Sequence, residues 1–160
     1  MGGDNSSSIY NIILHLHSGL RWVVLLLLLI VIFRSATAGK RPFDGADKKL
    51  ALFTMIFADL ILLVGIYQWF AGDWGYASIQ HNGMKEVMKN SVLRFFAIEH
   101  PIGMLIAIAM VHIGKGYSKK NIPDSTKHKR ILLFFILALL IILVSIPWPF
   151  RDAFSTRGWY

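Results

Sequence analysis

Three strongly apolar stretches of this chain carry ionisable side chains. Residues 9–33 hold His15, His17 and Arg21; residues 50–70 hold Asp59; residues 92–114 hold Glu99, His100 and His112. An ionisable group in hydrocarbon costs about 2.5–3.5 kcal/mol even on the lenient insertion scale, so such groups persist where they pair or work. The residue types define the work: imidazoles ligate metals and carry protons, carboxylates hold protons, and an arginine meets carboxylates, including those of a bound cofactor.

The elements that position these groups are set by composition. The chain has 160 residues, 55% of them hydrophobic. A spanning helix needs roughly 20 apolar residues, because the hydrocarbon core is about 30 Å thick and a helix rises about 1.5 Å per residue. Four stretches qualify: the three above and residues 131–147, which are almost entirely Leu, Ile and Phe. The expected fold is all-α, a single integral membrane four-helix bundle over residues 1–160, with helices near 9–34, 48–70, 91–116 and 129–148. No Lys or Arg precedes the first apolar run, so that run reads as a retained helix rather than a cleaved leader.

Charge orients the bundle. Of 17 basic residues, eleven flank the first and third connections: Arg34, Lys40, Arg41, Lys48, Lys49, Lys115, Lys119, Lys120, Lys127, Lys129 and Arg130. Basic loops on one face are the positive-inside pattern, so the net charge of +8 reads as a topology signal and an attraction to anionic headgroups, not as a nucleic-acid site. Both termini are then outside and both basic loops cytoplasmic, in a bacterial inner membrane. Tyr10, Tyr67, Trp69, Trp74, Tyr76, Trp148, Trp159 and Tyr160 gather at the expected outer interface and support the same orientation. The absence of cysteine excludes disulfides, Cys-ligated zinc and iron–sulfur clusters.

Depth groups the polar residues. His17 and His100 each lie eight residues inside their helices, roughly 12 Å below the outer face. Arg21 and Asp59 fall at roughly 18 and 16 Å and read as a buried ion pair. His17 shares a helix face with Arg21, whereas His15 points about 160° away from it and addresses a neighbouring helix, a partner subunit or the interface. Pro101 kinks the third helix, aims His100 and frees a backbone carbonyl. Gly103 and Ala107 form a small-residue stripe, which suits a packing seam or clearance for a flat cofactor. His112 and His128 belong to the cytoplasmic side as interfacial or structural groups, and His81 to a solvated loop.

A b-type haem needs one or two neutral imidazoles from facing helices and polar partners for its propionates. His17 and His100 are the expected iron ligands of such a haem b, with Arg21 and Arg94 beside the propionates. The segments Leu16-His17-Ser18-Gly19-Leu20-Arg21-Trp22, Arg94-Phe95-Phe96-Ala97-Ile98-Glu99-His100, Lys127-His128-Lys129 and Ser145-Ile146-Pro147-Trp148 resemble a family of short bacterial four-helix inner-membrane proteins catalogued as cytochrome-b-like. That resemblance implies haem binding and electron transfer. The alternative is a cofactor-free accessory subunit of a larger inner-membrane complex, respiratory or protein-export, in which His15, Asp59, Glu99 and His112 join a structural or proton-handling network. A third reading is a Zn, Cu or Fe site made of His17, Glu99 and His100.

Overall fold

Each apolar stretch becomes a helix because hydrocarbon offers no hydrogen-bond partners, so the backbone must satisfy itself within the segment. The computed structural model describes residues 3–150 and 154, with side chains from Ile9 onward. In chain order the elements are α1 (Gly3–Ala36), α2 (Gly45–Ala71), α3 (Tyr76–Lys89), α4 (Ser91–Arg94), a π-helical turn (Phe95–Glu99), α5 (His100–Gly116), a 3-10 turn (Tyr117–Lys119) and α6 (Asp124–Ser145). Among the described residues there is no strand. Four helical stretches are long and apolar enough to cross a membrane: Ile9–Ala36, Gly45–Ala71, Ser91–Lys119 and Asp124–Ser145.

The four spans pack in a closed ring, α1 on α2, α2 on α5, α5 on α6 and α6 on α1. Their buried positions advance by alternating steps of three and four. On α1 these are Val24, Leu28, Val31 and Ser35; on α2, Asp47, Ala51, Thr54 and Ala58. On α5 and the turn after it they are Ala107, Val111, Gly114 and Ser118, and on α6 they are His128, Ile131, Phe135, Ala138, Ile142 and Ser145. A seven-residue repeat of this kind is the seam of a four-helix bundle with small crossing angles. Small residues bring the backbones together where large ones intrude: Phe135 is fully buried, and a Cβ on Gly114 would sit 2.9 Å from two atoms of its ring. Outside the seams, Leu63, Phe33, Leu26 and Val144 are exposed, as lipid-facing positions require.

The helices differ from the sequence expectation in four respects. The fourth span starts at Asp124, not near 129, because Pro123 supplies the first carbonyl, which accepts from Thr126 N at 2.9 Å and Lys127 N at 3.1 Å. It stops at Ser145 rather than 148, just before Pro147. The long second connection contains a full helix, α3, broken at Gly83 by a φ of 75° that only glycine adopts freely. The third span does not kink at Pro101 alone; the π-turn Phe95–Glu99 precedes it and absorbs the irregularity.

The two basic connections meet at one end of the bundle, where Phe43 packs on His128 with ring centroids 5.0 Å apart. A carboxylate knot closes that end. Asp47, itself buried, receives Arg34 Nε at 3.0 Å and Arg41 at 2.7 and 3.0 Å, and exchanges capping bonds with Asp44 at the start of α2. Hydrogen bonding to Asp47 holds the Arg41 guanidinium above its ordinary pKa. At the opposite end Tyr67, Trp74 and Tyr76 are part of an exposed aromatic layer, as expected; Trp159 and Tyr160 lie outside the described residues.

Candidate functional site

Near the aromatic end three backbone carbonyls lack a helical donor: Ala97, because Pro101 has no N–H to give the carbonyl four residues earlier, and Leu143 and Ser145, because α6 ends at Ser145. In each case a side-chain N–H group from elsewhere stands at that carbonyl. Pro101 exposes Ala97, and Trp69 Nε1 donates to its oxygen at 2.9 Å. The Leu143 oxygen accepts from Trp148 Nε1 at 2.8 Å. The oxygen of Ser145, the last residue of α6, lies 2.7 Å from His100 Nδ1. Pro101 does free a carbonyl, and an indole holds it.

The bond to Ser145 sets the chemistry of His100. A carbonyl only accepts, so Nδ1 carries the hydrogen, and in the neutral ring Nε2 keeps the lone pair. His17 stands opposite on α1, with ring centroids 6.3 Å apart and planes at 61°. Gly65 on α2 makes room for it: a Cβ there would meet His17 Cε1 at 3.2 Å and Nδ1 at 3.7 Å. His17 Nδ1 is buried and has no hydrogen-bond partner among the described residues. The two imidazoles therefore lie on the seams of all four spans: His17 from α1, Gly65 from α2, His100 from α5 and Ser145 from α6. Phe95 covers His100 at 5.9 Å and packs in turn on Phe96 and Phe154, so an aromatic roof separates the pair from the end of the bundle.

Arg21 lies one turn deeper than His17, near enough to act electrostatically on both imidazoles, with its guanidinium 5.1 Å from the Trp22 ring centroid. The other expected members are elsewhere. Asp59 does not pair with Arg21: its Oδ1 lies 2.8 Å from His112 Nε2, joining α2 to α5, with both side chains more than 40% exposed. The depths matched, but the inward face of α2 is Ala51, Thr54, Ala58 and Gly65, and Asp59 stands about 100° off it. Arg94 Nε bonds Glu99 at 2.6 Å and its Nη1 donates to the Met88 carbonyl. Five residues apart, Arg94 and Glu99 meet because the intervening π-turn is wider than an α-helix.

Glu99 is thus taken up by Arg94 rather than joining His17 and His100, and among the described residues no three His, Asp or Glu groups converge to hold a metal ion. The stripe of Gly103 and Ala107 is a packing seam against α6: a Cβ at Gly103 would strike the Ser145 side chain, and Ala107 is fully buried. His15 is exposed beside its half-buried neighbour His17, and His81 is exposed on α3. His128 is 2% exposed, with neither ring nitrogen hydrogen-bonded among the described residues, so it belongs to the core rather than the interface. Sequence reading missed Gly65, Ser145 and the Asp47 knot; the last had a signal in the Asp44-x-x-Asp47 capping pattern after Arg41-Pro42.

The chain matches no protein-family model, no curated protein and no solved structure.

Proposed function

We propose that this multi-pass membrane protein binds a b-type haem between His17 and His100 and transfers electrons in the outer half of a bacterial inner membrane. The observation that carries the reading is the facing pair of imidazoles. A metal bonded to one nitrogen of each ring at about 2 Å would separate the centroids by roughly 6 Å, and the separation is 6.3 Å. The bond from His100 Nδ1 to a backbone carbonyl is the outer-shell partner that metal-ligating histidines ordinarily have. The unpartnered His17 Nδ1 and the space kept by Gly65 fit a ring whose polar partner is not another side chain.

Bound there, a haem supplies one-electron redox chemistry. The protein's part is to hold the two rings, exclude water with the Phe95 roof and set a cation, Arg21, beside them for the propionates. Arg94, engaged with Glu99 and the Met88 carbonyl, is not part of that cradle. Basic loops on the cytoplasmic side and aromatic residues on the other support the orientation with both termini outside.

The test is the visible spectrum of protein purified in detergent from cells supplied with haem. A Soret band and a sharp reduced α-band are expected. A colourless, helical preparation would reject the reading. It would favour instead a cofactor-free subunit, for which the Asp59–His112 pair, half-exposed on the α2–α5 face, is the specific support.

A further inference from the structure

We infer that the basic end of the bundle carries a built site for the phosphate of an anionic phospholipid, between the start of α2 and the end of α5. A cavity of about 400 Å³ opens there, lined by Lys48, Leu52, Lys115, Lys119, Lys120 and Lys127 together with Ser118 and Asn121. Its volume is in the range of small-molecule sites. Lys127 is paired with Asp124 at 2.9 Å. The other four lysines bring four positive charges to one concavity whose lining holds no carboxylate. The acids at this end of the bundle are already paired, Asp44 and Asp47 with Arg34 and Arg41 outside the cavity, and Asp124 with Lys127 at its wall. Lys115 and Lys119, one helical turn apart, even stand against each other. Like charges gathered without counter-ions call for an anion, and ammonium groups with three donors each suit phosphate oxygens.

A lipid rather than a soluble phosphate is indicated by what adjoins the cavity. Leu52 forms part of its wall and is 36% exposed, and beyond it Phe53, Ile56 and Ile113 continue an exposed apolar surface along the two spans. A headgroup held by the lysines would therefore leave its acyl chains on a surface already bound for hydrocarbon. Basic pockets between spans at the cytoplasmic side are where such headgroups bind. This inference needs the membrane orientation of the bundle but not the haem.

The experiment is native mass spectrometry of the full chain in detergent, titrated with diphosphatidylglycerol, phosphatidylglycerol or phosphatidylcholine. The two anionic lipids are expected to stay bound and phosphatidylcholine to dissociate. The combined variant Lys48→Gln, Lys115→Gln, Lys119→Gln should weaken anionic-lipid binding by more than about tenfold. A control that loses three charges at the same end but outside the cavity, Lys40→Gln, Lys49→Gln, Lys129→Gln, should change it less than about threefold. Equal losses in the two variants would reduce the site to diffuse surface charge and overturn the proposal. So would equal retention of phosphatidylcholine. Displacement of the lipid by millimolar inorganic phosphate would assign the cavity to a soluble phosphate ligand instead. If the triple variant loses helicity by circular dichroism, Lys115→Gln alone decides: unchanged lipid binding there sinks the inference.

Discussion

His100 Nδ1 stands 2.7 Å from the Ser145 carbonyl, a bond that ties the first turn of α5 to the last turn of α6. His17 Nδ1, across from it, is buried with no such partner. The two rings should therefore behave differently when no pigment is bound and alike when it is. In pigment-free protein, His100→Phe is expected to cost about 1–2 kcal/mol because it leaves a buried carbonyl unpaired. His17→Phe has no hydrogen bond to lose and should be neutral or stabilising. In pigmented protein either change should abolish the low-spin spectrum, and His81→Ala should leave it intact. Unfolding in mixed micelles and absorption spectra check both halves; an equal cost of the two substitutions without pigment contradicts the asymmetry.

Glycine spacing makes two separable predictions. Gly65→Leu places its side chain where the His17 ring now stands, so it should shift the spectrum or empty the site while leaving helicity unchanged. Gly114→Ala acts on packing alone. Its Cβ would overlap the rigid, fully buried Phe135 ring, and overpacking of this kind costs about 1–3 kcal/mol. Adding Phe135→Leu should recover part of that loss. A Gly114→Ala protein as stable as the parent would show that α5 and α6 separate freely.

The four apolar helices were legible in the sequence because spanning length and apolar composition are one-dimensional properties. The pairing of His17 with His100 was legible for the same reason: equal distance from the helix starts put them at equal depth. Azimuth was not legible to the same degree. Asp59 has the depth of Arg21 but stands off the inward stripe of α2, which only the small residues Ala51, Thr54, Ala58 and Gly65 mark. The link from Arg94 to Glu99 depends on a π-turn that no residue pattern announces. The partner of the carbonyl freed by Pro101 lies far away in the chain, Trp69 being 28 residues from Ala97.

The Asp59–His112 bond joins α2 to α5 about one turn from the end of α5, and it should be measurable as coupling. Asp59→Leu leaves an imidazole facing hydrocarbon, whereas Asp59→Leu with His112→Leu removes the pair together. Couplings of polar pairs within membrane bundles run from about 0.6 to 1.7 kcal/mol, and a value in that range is expected from the cycle of single and double variants. The corresponding cycle of Arg21 with Asp59 should be additive. Additivity in the first cycle and coupling in the second would reverse the assignment.

At the basic end, Asp47 and Asp44 are three residues apart but unequal. Asp47 is buried and accepts from two guanidiniums and a backbone amide, while the Asp44 side chain is about half exposed. Asp44→Ala is expected to cost about 1 kcal/mol, the usual loss for an N-cap. Asp47→Ala should cost more than that, because it removes the buried acceptor of both guanidiniums and of the Asp44 amide and leaves the arginines only the half-exposed Asp44 carboxylate. Thermal or denaturant unfolding of the two variants side by side checks the order.

The carbonyl freed by Pro101 gives the sharpest test of how this bundle end is built. Trp69 Nε1 donates to Ala97 only because Pro101 cannot. Trp69→Phe keeps the ring and deletes the donor, and should cost about 1 kcal/mol in the parent protein. In a Pro101→Ala background the backbone N–H at position 101 can reach the same carbonyl through an ordinary helical bond. The indole then becomes redundant, and Trp69→Phe should cost little or nothing. Pro101→Ala should also shorten the π-turn, since the helix regains a regular donor where it now lacks one. Hydrogen exchange at residue 101 in that background reads the new bond directly: slow exchange together with a vanished Trp69→Phe penalty is the expected pair of results. A penalty that is the same in both backgrounds would mean that Trp69 acts through its ring packing against Phe70 and Tyr76, and that the carbonyl it touches was never short of a partner.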